Sequence, residues 1–142
     1  MATSQLINSH KFIFLLVWRC LSQLFSHLYL MSDIQQLIDA LVAFRDEREW
    51  QQFHDTKNLA VALSIEAAEL NELFLWKDAA ASEAVEKEKI KEELADVLAY
   101  ALLLAEKQGL DVKQIVLDKI AKNAEKYPVE KARGSAQKYT EL

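Results

Sequence analysis

The sequence predicts an all-α protein, a four-helix-type bundle that assembles as an oligomer and carries an extra apolar segment at its N-terminus. Three observations lead there. The 142 residues include only 2 Gly and 1 Pro, and strand-rich folds depend on both residues for their turns. Apolar residues recur at three-to-four spacing from Ile34 onward. A composition of 51% hydrophobic and 27% charged residues is that of a globular chain, at a length suited to one domain. The single cysteine, Cys20, excludes an intramolecular disulfide framework and a cysteine-rich zinc site. The net charge of -5 argues against a nucleic-acid polymer as the main partner, because phosphate backbones attract basic surfaces.

Residues 1–30 differ from the rest. They hold two basic residues, Lys11 and Arg19, and no acid, so residues 31–142 carry 15 of the 17 basic residues against all 22 acidic ones. The run Phe12 to Trp18 is continuously apolar but is broken by Arg19, and a membrane-spanning helix needs about 20 mostly apolar residues. A signal peptide matches the short apolar core after Lys11, but no small-x-small cleavage site follows it cleanly. The expectation is translated upstream sequence or a loosely attached helix, with a targeting or membrane role, or an integral part of the fold, as the alternatives. The working domain then spans 31–142, with no membrane association and a cytoplasmic location expected for it. Ser32 and Gln35 form a capping box at its start.

Four helices follow. The first runs from about Asp33 to Trp50, with Ile34, Leu37, Ile38, Leu41, Val42 and Phe44 on one stripe. The second runs from about Lys57 to Trp76, capped by Asp55 or Thr56, with a stripe of Leu59, Ala62, Leu63, Leu70, Leu73 and Phe74. The third begins at a Ser82 cap and is stopped by Gly109. Its second half, Leu94 to Ala105, is almost wholly apolar, a pattern of burial on most sides, which in so small a domain calls for a second subunit. The fourth starts at Asp111, with Gln114 completing a capping box, and ends at Tyr127 because Pro128 cannot continue it. The tail 129–142 is polar.

Acids interrupt two of these stripes. At about 100° per residue, Glu66 falls among Ala62, Leu63, Leu70 and Leu73, and Glu69 lies beside it. On the third helix Glu93 sits beside Ile90, Val97 and Tyr100, and Asp96 lies one short turn further on. An isolated buried carboxylate is costly and protonates, and four converging ones repel one another. A hard divalent cation such as Mg²⁺, which takes oxygen ligands, resolves both problems, and helical bundles build metal sites from inward acids of facing helices. Acids at i, i+3 are also common on solvated faces, and Glu72 and Glu92 are assigned to solvent. Helix four presents Lys119, Lys122, Asn123 and Lys126 at three-to-four spacing, either complementing its C-terminus or meeting phosphate. Trp50 and Trp76 stand at helix ends among polar residues, where an indole can stack on a base. No glycine-rich phosphate loop is present.

At these residues the sequence resembles a known family. Glu66-Ala67-Ala68-Glu69 followed by Glu93-Leu94-Ala95-Asp96 resembles the ExxE…ExxD signature of the all-α nucleoside-triphosphate pyrophosphatase superfamily, the MazG-like group. The stretches Arg48 to His54, Lys57-Asn58-Leu59, Glu69 to Trp76, Lys119 with Asn123, Lys126-Tyr127-Pro128 and the ending Lys138 to Leu142 are similar to its dCTP pyrophosphatase branch. The resemblance covers essentially all of 31–142 and none of 1–30. It implies a Mg²⁺-dependent hydrolase that converts a nucleoside triphosphate, dCTP or a modified dCTP favoured, to the monophosphate and pyrophosphate in nucleotide-pool housecleaning. By the same resemblance Glu66, Glu69, Glu93 and Asp96 hold the metal. One of them, or Glu72, accepts a proton from water. Lys119, Asn123 and Lys126 bind phosphate or sugar, and Trp50, His54, Trp76 and Tyr100 line the base pocket. The implied assembly is a homodimer or homotetramer with the pocket shaped by neighbouring subunits. The alternatives are a non-catalytic helical module that binds nucleotide or a partner, and a membrane-tethered form using residues 12–30.

Overall fold

The structure, a computed structural model, describes residues 33–141. The apolar segment 1–30 and the Ser32 capping box lie outside the described residues. Two compact units divide the chain, residues 1–36 and 37–142; of the first, only Asp33–Gln36 are described, as the opening turn of a helix. All regular structure among the described residues is helical: α1 Asp33–Asp46, a 3-10 turn Trp50–Phe53, α2 Thr56–Glu72, α3 Ala79–Glu83, α4 Lys87–Lys107, α5 Val112–Lys126, α6 Val129–Ala132 and a closing 3-10 turn Tyr139–Glu141.

Helix α1 stops at Asp46, four residues before the expected end at Trp50. Arg48 Nη1 takes the Phe44 carbonyl at 2.8 Å, the acceptor that a continuing helix offers to the amide at 48. The amides of Arg48 and Glu49 bond instead to the carbonyls three residues back. Glu49 then turns left-handed at φ 54°, and the guanidinium of Arg48 lies 3.5 Å from the Phe44 ring centroid.

Asp55 caps α2 as expected, accepting from the Asn58 amide at 2.8 Å. The helix ends at Glu72 and not at Trp76, because Phe74, Leu75 and Lys77 donate to carbonyls three residues back and Trp76 adopts φ 60°. Ser82 is not the cap of the long third helix. Asp78 caps the short α3, accepting from the Ala81 amide at 2.8 Å, and Ser82 lies inside that turn. The long helix α4 begins only at Lys87, without a side-chain cap. An aspartate with extended backbone four residues upstream is the better-placed competitor.

The end of α4 is set by Gly109. At φ 63° it lets the Leu110 amide reach the Ala105 carbonyl and the Gly109 amide reach the Glu106 carbonyl, both at 2.9 Å, the paired bonds of a Schellman motif. Asp111 caps α5 through the Gln114 amide at 2.9 Å. The expected box is half-made, since the Gln114 side chain donates forward to Asp118 at 2.8 Å. Helix α5 ends just before Tyr127 and Pro128. The polar tail contains α6 and one 3-10 turn, and Tyr139 packs edge-on against Tyr127 at 5.9 Å.

The one extensive helix–helix contact among the described elements joins α2 to α4. Thr56 at the start of α2 accepts from Gln108, just past the end of α4, at 2.6 Å, so the two run antiparallel. Leu59 is the most buried side chain, at 2% exposure, with Leu103, Ala105 and Ile38 completing the small core. Much of the apolar surface stays open: Leu94 and Leu98 on α4, and Ile115, Val116, Leu117 and Ile120 on α5, are exposed.

A Cβ added at Gly109 meets nothing within 4 Å, so a substitution there reports backbone strain alone. Gly109→Ala should cost about 1–2 kcal/mol of stability, read as a lower urea midpoint with an unchanged slope.

Candidate metal centre and adjoining cavity

The antiparallel pairing of α2 with α4 turns two i, i+3 acid pairs toward each other. Carboxylate oxygens of Glu66, Glu69 and Glu93 all lie within 4.8 Å of one another. Asp96 stands close enough that its charge acts on Glu66 together with those of Glu69 and Glu93. Burial pushes the Glu66 carboxyl up from its ordinary pKa, and the three neighbouring acids push it further. Glu66 and Glu93 are half-buried, whereas Glu69 and Asp96 are exposed. The centre is therefore sheltered on one side and open on the other, wetter than the apolar stripes suggested. Clustered oxygen donors with mutual repulsion fit a hard divalent cation. Glu72 and Glu92 are exposed, as expected.

Asp96 also borders a cavity of about 270 Å³ whose other walls are Leu41, Phe44, Arg45, Trp50, His54, Ala99, Tyr100 and Leu103. Its aromatic surfaces come from three places. Trp50 follows the left-handed turn at Glu49 and meets Phe44 edge-on at 6.0 Å. His54 lies tilted against Tyr100, with ring centroids 6.4 Å apart. The imidazole is held below its ordinary pKa, first by burial and then by the charge of Arg45, so it is neutral at physiological pH. Trp50, His54 and Tyr100 thus come together next to the acids.

The other sequence-picked residues lie elsewhere. Trp76 is 94% exposed at its strained turn and lines no part of this cavity. Lys119, Asn123 and Lys126 are exposed on α5, and none of them lines the cavity; Lys126 Nζ sits 5.1 Å over the Tyr139 ring. Glu72 borders a second hollow with Lys77, Glu86 and Lys89. Arg45 is the polar wall residue that sequence reasoning missed. A signal existed: Arg45 stands four residues after Leu41 and seven after Ile38, so it interrupts the α1 stripe just as Glu66 interrupts that of α2.

The raised Glu66 pKa has a stability consequence. A carboxyl whose folded pKa lies above its unfolded one contributes stability that is full below the unfolded value, near 4.5, and lost as pH rises through the folded value. In chelator at pH 7, Glu66→Gln should therefore melt above the unmodified protein, and the gap should close as the pH is lowered toward 4. Added Mg²⁺ should raise the melting temperature of the unmodified protein and leave the variant nearly unmoved. Calorimetric melts across that pH range read both effects.

Comparison with known proteins agrees with this geometry. The sequence pattern of the MazG-like family matches residues 61–142. The chain is 42% identical over 117 residues to dCTP pyrophosphatase 1 of Rattus norvegicus, a match covering 79% of this chain and 67% of that one. Over the same length it is 40% identical to dCTP pyrophosphatase 1 of Homo sapiens, covering 79% of this chain and 67% of that one. A crystal structure of a pyrophosphatase from Archaeoglobus fulgidus superposes with a TM-score of 0.66 at 40% identity, covering 69% of this chain and 94% of that one. With its acid pairs set on facing helices, the chain belongs to the MazG-like family of all-α nucleoside-triphosphate pyrophosphatases, on the dCTP pyrophosphatase branch.

Proposed function

We propose that this protein hydrolyses nucleoside triphosphates, dCTP or a modified dCTP by preference, to the monophosphate and pyrophosphate, with Mg²⁺ as cofactor and a role in clearing the cytoplasmic nucleotide pool. One observation carries the reading: Asp96, whose charge acts on Glu66 of the carboxylate cluster, also borders an aromatic cavity of nucleobase size. A triphosphate whose base enters the cavity leaves its phosphates over the acids.

Glu66, Glu69, Glu93 and Asp96 would hold the metal, which when bound neutralises phosphate charge and lowers the pKa of a water. The half-buried Glu66 and Glu93 anchor the set, and the exposed Glu69 and Asp96 face the arriving phosphates. Water adds to the α-phosphorus as the bond to the bridging oxygen breaks, its proton passes to a carboxylate of this set or to Glu72, and pyrophosphate departs. Trp50 and Tyr100 stack against the base. His54 stays neutral, which avoids burying a second cation beside Arg45.

Lys119, Asn123 and Lys126 serve phosphate or sugar in a homodimer or homotetramer, and Trp76 serves a base pocket there. The exposed apolar face of α5 supports such an assembly. No helix among the described residues is long and apolar enough to cross a membrane.

Purified protein should release pyrophosphate, and not orthophosphate, from dCTP with Mg²⁺ and lose that activity in chelator. Glu69→Ala and Asp96→Ala should lower kcat on the order of 100-fold or more; release of orthophosphate would rule out the reaction. Light scattering after size exclusion should give two or four times the chain mass, and a monomer would refute the assembly.

A further inference from the structure

Arg45 is 5% exposed. Its Nε donates to Asp46 Oδ1 at 2.7 Å and its Nη1 to Glu106 Oε2 at 3.2 Å. These bonds use two of the five N–H groups of a guanidinium, and two acids balance its single charge. Nη2 makes no hydrogen bond to a described residue. Among the described residues, the one sealed side-chain nitrogen or oxygen without a partner is His54 Nδ1. Arg45 is one of the walls of the cavity, and three of its N–H groups carry no bond to a described residue.

His54 adds a second donor. A buried N–H without a partner is rarer and costlier than a buried acceptor without one. The unpartnered Nδ1 is thus assigned as the lone-pair nitrogen, with the proton on Nε2, the nitrogen left unsealed. Apart from Asp96 at its border, an otherwise apolar and aromatic cavity so has two N–H donor residues in its wall. Because Asp46 and Glu106 already balance the guanidinium, a phosphate gains little there and is repelled by both acids. A neutral acceptor gains a directed bond from a charged donor.

We propose that Arg45 is a specificity-determining residue, its free N–H groups receiving the acceptor edge of a cytosine ring; this rests on the reading of the cavity as the base pocket. Cytosine offers two adjacent acceptors, N3 and O2. Uracil and thymine carry an N–H at position 3, which faces an arginine donor unfavourably. Arg45 thereby favours a cytosine nucleotide over its deaminated counterpart.

The test compares Arg45→Met with the unmodified protein in KM and kcat for dCTP and dUTP, and in inhibition by inorganic tripolyphosphate, which has no base. The expected result is a KM for dCTP raised about 10- to 100-fold, a kcat within about threefold, a dCTP-over-dUTP preference that collapses, and unchanged tripolyphosphate inhibition. An unchanged KM, or an equal weakening toward tripolyphosphate, overturns the proposal and leaves Arg45 as a tie between α1 and α4. If circular dichroism shows Arg45→Met unfolded, Arg45→Lys is read in its place. It keeps a charge between the acids without the fork, and the same direction of change is expected. Failure of the unmodified protein to prefer dCTP over tripolyphosphate would instead sink the base-pocket reading, and this inference with it.

Discussion

The antiparallel seam between α2 and α4 governs the rest of the molecule. Leu59 seals it near one end, with Leu103 and Ala105 close by, and the bond from Gln108 to Thr56 fixes the register there. From that end each helix advances about 1.5 Å per residue, so Glu66 and Glu69 on one helix come level with Glu93 and Asp96 on the other. Packing energy is gained at the apolar end, and electrostatic repulsion is held at the other. The upward push on Glu66 is the mark of that arrangement: a carboxyl kept where its charge is unwelcome, because the seam leaves it nowhere else to go.

The cavity beside the acids follows a different electrostatic rule. Its basic residue is compensated by Asp46 and Glu106, and its imidazole is kept neutral by burial and by that same arginine. Among the described residues, Asp96 is the acid that borders the cavity and also acts on the cluster. The cluster collects negative charge and calls for cations; the cavity presents a charge-compensated arginine and a neutral imidazole between aromatic faces. A nucleotide has the matching division, charge along its phosphates and a neutral ring at its end.

Much of this was legible in the sequence because the signals were local. Asp55, Asp111 and Gly109 each act through bonds to residues within five positions, and the acid pairs were visible as charges on an apolar stripe. The stretches that escaped were those where local signals compete. Ser82 and Asp78 are both good caps, and only the fold chooses between them. Nothing in Arg48-Glu49-Trp50 or Leu75-Trp76-Lys77 announces a left-handed residue other than glycine, so both helix ends were read too long. Arg45 breaks the α1 stripe from within, but its partner Glu106 stands 61 positions away, so the local pattern marks a buried arginine without saying what it meets. The lysines of α5 and the indole of Trp76 were assigned by resemblance, and no spacing within one chain tells which cavity such residues reach.

The uneven shelter of the acid cluster has a kinetic meaning. Two of its four carboxylates stand in water, so a hydrated cation can approach along that side and shed its waters one at a time while the helices stay closed. An ion held there would exchange at a pace set by its own reluctance to dehydrate, a property of its size and charge. A site of this kind can equally accept an ion already riding on its substrate's phosphates, so that cofactor and substrate arrive together and the protein need not store the metal between turnovers.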